Sequence, residues 1–257
     1  MTTTALQPTT VTLRAYSSAD RASVRRLACL TAFRNAGHTV LLCDPEPFAD
    51  YWTRYYTDFE PEHLTVVVAK HSDHASDQVV GYLAGCVNTR QANRAMGMHV
   101  LPRVVTRLVQ HVARIGSTDA LRARRLLHWM LTRAWREAPS FDATRYPAHY
   151  HANVLPEFAG QHLYTRLALR FIGQVEARGV QRMHGQVTES RDRGPWLRFV
   201  QRFVAGQAAS TLAVKGTAST LHEALCGVRE PMVNRVIYGS CADFRSILNW
   251  LQATYAL

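Results

Sequence analysis

His149 and His151 stand in the stretch YPAHYHANVLPEFAGQHLYTRLALRFIGQVEARGV, which runs from Tyr146 to Val180. On a strand, alternation puts both imidazoles and the Asn153 amide on one face. Imidazole ordinarily titrates nearest to neutrality, so such a pair can act as a base in a cleft; on a packed or solvated face it is structural. Pro147 to Leu155 alternates and carries Tyr, Val and Leu, which predicts that strand. PEFAG, Pro156 to Gly160, reads as a turn. Leu163, Leu167, Phe171 and Val175 then fall four apart, predicting one apolar helical face, and Gly179 sits where that helix should end. A strand that opens into a loop and feeds a helix N-terminus is a ready anion site. The first amides of the helix lack intrahelical partners, and the helix dipole favours negative charge.

The segment LPEFAGQHLYTRLALRF resembles the acyl-CoA-binding segment of the GNAT superfamily, the acetyl-CoA-dependent N-acyltransferases, whose members often read LPE-aromatic-QGQGIGRRL around a Q/R-x-x-G-x-G/A core. Leu155, Pro156, Glu157, Phe158, Gly160 and Gln161 keep the pattern. Ala159 replaces the Gln/Arg, and His162 and Tyr164 replace the two later glycines, where bulk costs room beside a phosphate. The resemblance implies that amides of this loop hold the CoA diphosphate and that the preceding strand hydrogen-bonds the pantetheine arm. Carried over, the binding residues are Asn153, Val154, Leu155, Ala159, Gly160, Gln161, His162, Leu163, Tyr164 and Thr165. Tyr164 either plugs the cradle, offers its hydroxyl to phosphate, or packs as an ordinary helix residue; a cationic His162 would favour a diphosphate.

The implied chemistry is acyl transfer to an amine. A lysine-type amine is almost wholly protonated at neutral pH, its pKa lying near ~10.4, and only the neutral form attacks a thioester. A base is therefore required, and the carbonyl oxygen needs a donor such as a strand amide. The base candidates are His149 and His151, with Glu157 at the strand end reading equally as a loop cap. Asp58 and Glu60 lie in TDFEPEH, a region that the resemblance assigns to the acceptor pocket and composition alone assigns to a surface loop. The family commonly has N-x-x-A-x-x-F-Y-x-x-x-G-F after the next strand, with the Tyr as proton donor to the thiolate. Here Phe199 holds the aromatic position and Val200 stands in place of that Tyr. Another group or water then protonates the thiolate, or the chemistry differs.

The flanking elements follow the same order. VTLRAY, Val11 to Tyr16, predicts a strand, Ser17 to Asp20 a helix cap, and Val24, Leu27, Ala28 and Leu30 a buried helical side; this opening resembles the GNAT N-terminus. FADYWTRYY, Phe48 to Tyr56, predicts a second helix. Leu64 to Lys70 and Val79 to Thr89, joined by the polar HSDHASDQ, predict an antiparallel hairpin. Arg182 to Thr188, Thr211 to Thr217 and Val233 to Gly239 predict later strands, with helices at Trp196 to Phe203 and Phe244 to Tyr255.

Between hairpin and signature, Gln91 to Arg145 is an addition. Leu101, Val104, Val105, Leu108 and Val112 keep a helical period, as do Leu126, Leu127, Met130 and Leu131, with Gly116 to Asp119 between them supplying a cap. From Arg90 to Glu137 there are ten arginines and two acids, Asp119 and Glu137. They line a solvated face or form a surface for an acidic partner, an acyl carrier protein being the candidate; nucleic acid is the weakest, for want of interleaved aromatics or a known motif.

At 257 residues and 47% hydrophobic content the chain can bury a core as one domain, with a net charge of +11 that suits an anionic partner and also plain solubility. No apolar run is long enough to span a bilayer. MTTTALQPTT lacks a charged and an apolar region, so no secretory signal is expected. Cys29, Cys43, Cys86, Cys226 and Cys241 are scattered without CxxC pairing, predicting reduced thiols in the cytoplasm and no metal site. The expected architecture is α/β (α+β): a GNAT-like mixed, mostly antiparallel sheet flanked by helices, over residues 1–257, with a basic helical pair inserted at about 91–145. The expected activity is transfer of an acyl group from acetyl-CoA or another acyl-CoA to an amine of a small molecule or peptide. The alternatives are a degenerate ligand-binding or regulatory module of the same fold and an enzyme fed by an acyl carrier protein.

Overall fold

β1 (Thr10–Ala15) pairs antiparallel with β2 (Leu64–Lys70), β2 with β3 (Gln78–Cys86), and β3 with β4 (His149–Val154), in that spatial order. The computed structural model describes residues 10–70, 77–114, 116–221, 225 and 230–255; the N-terminal lead-in, most of the hairpin turn and Cys226 lie outside these. β2 reads LTVVVAK and is buried from Leu64 to Ala69, so it runs continuously apolar where a one-sided strand would alternate. A second sheet runs β5 (Arg182–Ser190), β7 (Met232–Ser240), β6 (Ala213–Ser219), antiparallel throughout.

The two sheets meet at a parallel bridge between Ala148 and Met183, where the His184 amide donates to the Ala148 carbonyl at 2.8 Å. Among the described strands β4 itself pairs only with β3. Its other edge therefore opens toward β5.

The helices are α1 (Arg21–Leu30), α2 (Ala32–Asn35), α3 (Glu46–Asp58), α4 (Thr89–Ala95), α5 (Leu101–Ala113), α6 (Thr118–Thr132), α7 (Leu163–Ala177), α8 (Pro195–Ala205) and α9 (Cys241–Tyr255). The predicted cap before α1 is present: the Ser17 amide donates to Asp20 at 2.9 Å, and Arg14 clamps the same carboxylate at 2.7 and 2.8 Å. α7 buries the four residues its spacing predicts, together with Ala168 and Ile172. Gly179, at φ +76°, ends it, with the Val180 amide returning to the Val175 carbonyl at 3.2 Å.

Phe171 lies over the sheet at Gly85, where an added Cβ would come within 2.1 Å of the ring. α3 and α7 cover opposite faces of β4. Trp52 of α3 stacks on His151, whereas Phe171 of α7 packs edge-on to Tyr150.

The stretch expected to hold a helical pair holds one longer run and one helix. α4 continues through a π turn, Met96–Val100, into α5, and α6 follows with Ser117 accepting from the Ala120 amide at 3.1 Å. α5 and α6 close a second core of Val100, Val104, Leu108, Ala123 and Leu126 around Leu42. Asp119 anchors the start of α6 by accepting from the Cys43 and Asp44 amides. Glu137, beyond its end, accepts from the Thr220 amide at 2.8 Å. No helix among the described residues is long and apolar enough to cross a membrane.

Candidate functional site

The Leu155 amide donates to the Val80 carbonyl at 2.9 Å, which sets the direction of every β4 amide. Alternation then turns the amides of His149, His151 and Asn153 toward β3, and those of Tyr150, Ala152 and Val154 toward the gap facing β5. The chain turns through a 3-10 segment, Pro156–Phe158, in which the Phe158 and Ala159 amides return to Leu155 and Pro156. Gly160 follows at φ +81°, and His162 enters α7 at φ +56°. That left-handed turn costs a residue with a Cβ roughly 1 kcal/mol, and it falls where the family motif carries glycine.

Among the described residues, the amides of Gly160, Gln161, Leu163 and Tyr164 donate to no protein group, and no side chain caps α7. A Cβ on Gly160 would meet nothing within 4 Å. Tyr164 turns away from these amides: its hydroxyl lies 3.0 Å from that of Tyr150, and its ring packs near Trp196. The loop thus keeps a cradle of unspent amides at a helix N-terminus, the donor set an anion requires. Of the other residues singled out from the sequence, Thr165 is buried, Asn153 lies on the histidine face, and Leu155 and Ala159 spend their amides on the protein.

The opposite face of β4 carries His149, His151 and Asn153, as alternation predicts. Thr89 donates its hydroxyl to the Pro147 carbonyl at 2.6 Å, so at 2.7 Å from His149 Nδ1 it must accept. His149 therefore carries its proton on Nδ1, and its Nε2 accepts from the Tyr56 hydroxyl at 3.1 Å. Asn153 Nδ2 donates both to Tyr82 Oη and to His151 Nε2, each at 3.0 Å. His184 of β5 joins this group with its ring centroid 5.1 Å from that of His149, and donates through Nδ1 to the Tyr146 carbonyl at 2.8 Å. Its Nε2 is then the lone-pair nitrogen. Burial pushes His149 down to about 3, aided by His184 and His151, and pushes His151 and His184 down to about 4. All three are neutral imidazoles at physiological pH.

The carboxylates lie apart from this face. Glu60 is buried and accepts from the Val87 amide at 2.9 Å and the Tyr55 hydroxyl at 2.6 Å. Asp58 pairs with Arg21 and Arg54, and Glu157 is exposed on the 3-10 turn. Val200 is 2% exposed within the core. Tyr56, Thr89 and His184 were not legible as site residues, because strand and helix pairings bring them to β4 from up to 93 positions away, and Tyr150, on β4 itself, gains its role only through Tyr164 of α7.

No family model matches the sequence, and no curated protein matches it. Among solved structures, the crystal structure of SsHAT superposes with a TM-score of 0.58 at 23% identity, covering 90% of this chain and 98% of that one. With the sheet parting after Ala148 and α7 rising from the loop, that decides the architecture. This chain has a GNAT-type fold. Fainter likenesses run to an agmatine N-acetyltransferase (TM-score 0.47, 14% identity, 90% and 99% covered). Another is the phosphinothricin acetyltransferase of Sinorhizobium meliloti, a GNAT superfamily protein in complex with acetyl-CoA (TM-score 0.45, 15% identity, 90% and 88% covered). In the GNAT-type fold of this chain, the open β4 edge and the amide cradle lie on one continuous segment, with the imidazole cluster formed by His149 and His151 of β4 and His184 of β5.

Proposed function

We propose that this chain is an acyltransferase moving an acetyl or other acyl group from acyl-CoA to an amine of a small molecule or peptide. The observation that carries the reading is that, among the described residues, the amides of Gly160, Gln161, Leu163 and Tyr164 are unpartnered at the end of a strand whose outer edge is open. Those amides hold the CoA diphosphate, and the outward amides of Ala152 and Val154 hold the pantetheine arm. CoA supplies the thioester. A β4 amide facing the gap donates to its carbonyl oxygen as charge develops there.

The acceptor amine approaches from the α3 face, where Trp52, Tyr56 and Tyr82 frame the imidazoles. It reacts in its neutral form, oriented by the lone-pair Nε2 of His184 beside His149 and His151, and its proton leaves to water, because burial keeps these imidazoles from taking it up. Val200 has no proton for the leaving thiolate. The hydroxyl pair of Tyr150 and Tyr164, between β4 and the first turn of α7, supplies one instead.

Calorimetry with acetyl-CoA and with CoA, followed by thiol-release assays over a panel of amines, tests this. Saturable binding with thiol release is expected. Gly160→Val, which forces a β-branched residue to φ +81°, is expected to weaken CoA binding about tenfold or more by moving the cradle. Absence of heat at millimolar acetyl-CoA overturns the proposal. Binding without turnover across the panel replaces it with the ligand-binding module that Val200 and the substituted glycines favour.

A further inference from the structure

A cavity of about 540 Å³ lies between α1, α3 and α5, lined by Arg21 and Arg25 of α1, Arg54 of α3, and Arg103 and Arg107 of α5. This volume falls within the range of small-molecule sites. On α3, residues 50 and 54 share one side of the helix, while Trp52 and Tyr56, which touch His151 and His149, share the other. The cavity is therefore separate from both the imidazole cluster and the amide cradle.

Its charges do not cancel. Arg25 is buried and fully engaged, with Nη1 on Asp50 at 2.7 Å and Nη2 on Glu46 at 2.9 Å. Arg21 and Arg54 share Asp58, at 3.2 and 3.4 Å, and Arg54 reaches Asp50 only at 3.7 Å. Arg107 stands 3.7 Å from a Glu46 that Arg25 already holds. Arg103 makes no ion pair among the described residues. Five lining guanidiniums thus face two lining carboxylates, Glu46 and Asp50, with Asp58 beside Arg21 and Arg54 and Asp44 near Arg107 from outside the lining, which leaves the hollow net positive. Arg54 also buries its Nε with no hydrogen-bond partner. A buried N–H without an acceptor is a standing cost, so the Arg54 side chain is not fully satisfied by its protein partners.

We propose that this cavity binds a small multivalent oxyanion, recognised by the guanidinium forks of Arg54, Arg103 and Arg107. Guanidinium presents paired N–H groups that match phosphate and carboxylate oxygens, and several forks around one net-positive hollow suit a ligand with more than one anionic group. Phosphates and polycarboxylates share this chemistry. The arginines of the added helices thereby gain a use at Arg103 and Arg107 that neither a solvated face nor a carrier-protein surface supplies.

The test follows the Arg54 Nε–H resonance in ¹⁵N-labelled full-length protein titrated with inorganic pyrophosphate and, separately, with citrate. A saturable shift with either probe is expected, the tighter one distinguishing phosphate from carboxylate. In R103Q/R107Q the apparent Kd for that probe should rise about tenfold, because two charge-assisted contacts go. The Gly160→Val variant, altered only at the diphosphate cradle, should keep the wild-type value, which separates this site from the proposed acyl-CoA site. Sodium chloride at matched ionic strength should give no saturable shift. The proposal is overturned if neither probe shifts Arg54 saturably at millimolar concentration, if sodium chloride reproduces the shift, or if R103Q/R107Q retains the affinity.

Discussion

His149 keeps its proton on Nδ1 because Thr89 has already given its own to the Pro147 carbonyl. Such an imidazole resists a second proton, and its pKa of about 3, with about 4 for His151 and His184, makes folding sensitive to acid. An unfolded histidine takes up a proton near pH ~6.5, which the folded cluster refuses. Between roughly pH 6.5 and 4 the unfolded chain binds more protons, so stability falls as pH is lowered and levels off below the folded values. Thermal melts across that window should show this decline, and His184→Gln, which removes one of the three groups, should make it shallower. An unchanged slope would mean that these imidazoles titrate normally. Gly85 gives a second prediction at this scale. Alanine there places a carbon 2.1 Å from the Phe171 ring, and the repacking should cost about 1–3 kcal/mol in urea denaturation. The spacing of His149 and His151 was readable from the chain; their tautomers were not, since these depend on Tyr56 and Thr89.

At the scale of elements, α7 and α8 handle their N-termini in opposite ways. α8 is capped from within: Glu189, 2% exposed at the end of β5, accepts from the Trp196 and Leu197 amides at 2.8 and 3.3 Å and pairs with Arg235 at 2.5 Å. Gly194 leaves room for that carboxylate, since a Cβ there would come within 2.4 Å of it. Glu189→Gln leaves Arg235 buried without its counter-charge and weakens the cap, so a loss of about 3–5 kcal/mol by urea denaturation is expected. A change below about 1 kcal/mol would mean that the pair is hydrated and dispensable. Among the described residues α7 shows no such side-chain cap, and the proposed acyl-CoA site rests on that contrast. ESRDRGP reads as a loop in the sequence, and nothing local announces that its first two residues belong to a strand and that the first caps the next helix. The period of α7 and its glycine stop, by contrast, lie within one contiguous segment and were legible to the residue.

For the molecule as a whole, occupancy of the cradle and the open strand edge should appear as stability. A ligand present at about 100 times its Kd adds ~2.7 kcal/mol, worth roughly 5–10 °C in Tm for a chain of this length. Acetyl-CoA should therefore raise the melting temperature in a concentration-dependent way, and much less in Gly160→Val; identical melts with and without it would count against the acyl-CoA site. The sequence by itself determined the strands and their order, helices α1, α3 and α5 to α9, the apolar face of α7, its stop at Gly179, and the alternation that gathers His149, His151 and Asn153. All of these are set by periodicity and turn chemistry within a few neighbouring residues. Only the tertiary structure decided where the sheet parts after Ala148, which amides stay unspent, that His184 joins His149, that Tyr164 turns to Tyr150, and that five arginines from three helices face one cavity. Those outcomes depend on contacts between segments tens of residues apart, where packing and hydrogen-bond competition, not local pattern, select the partner.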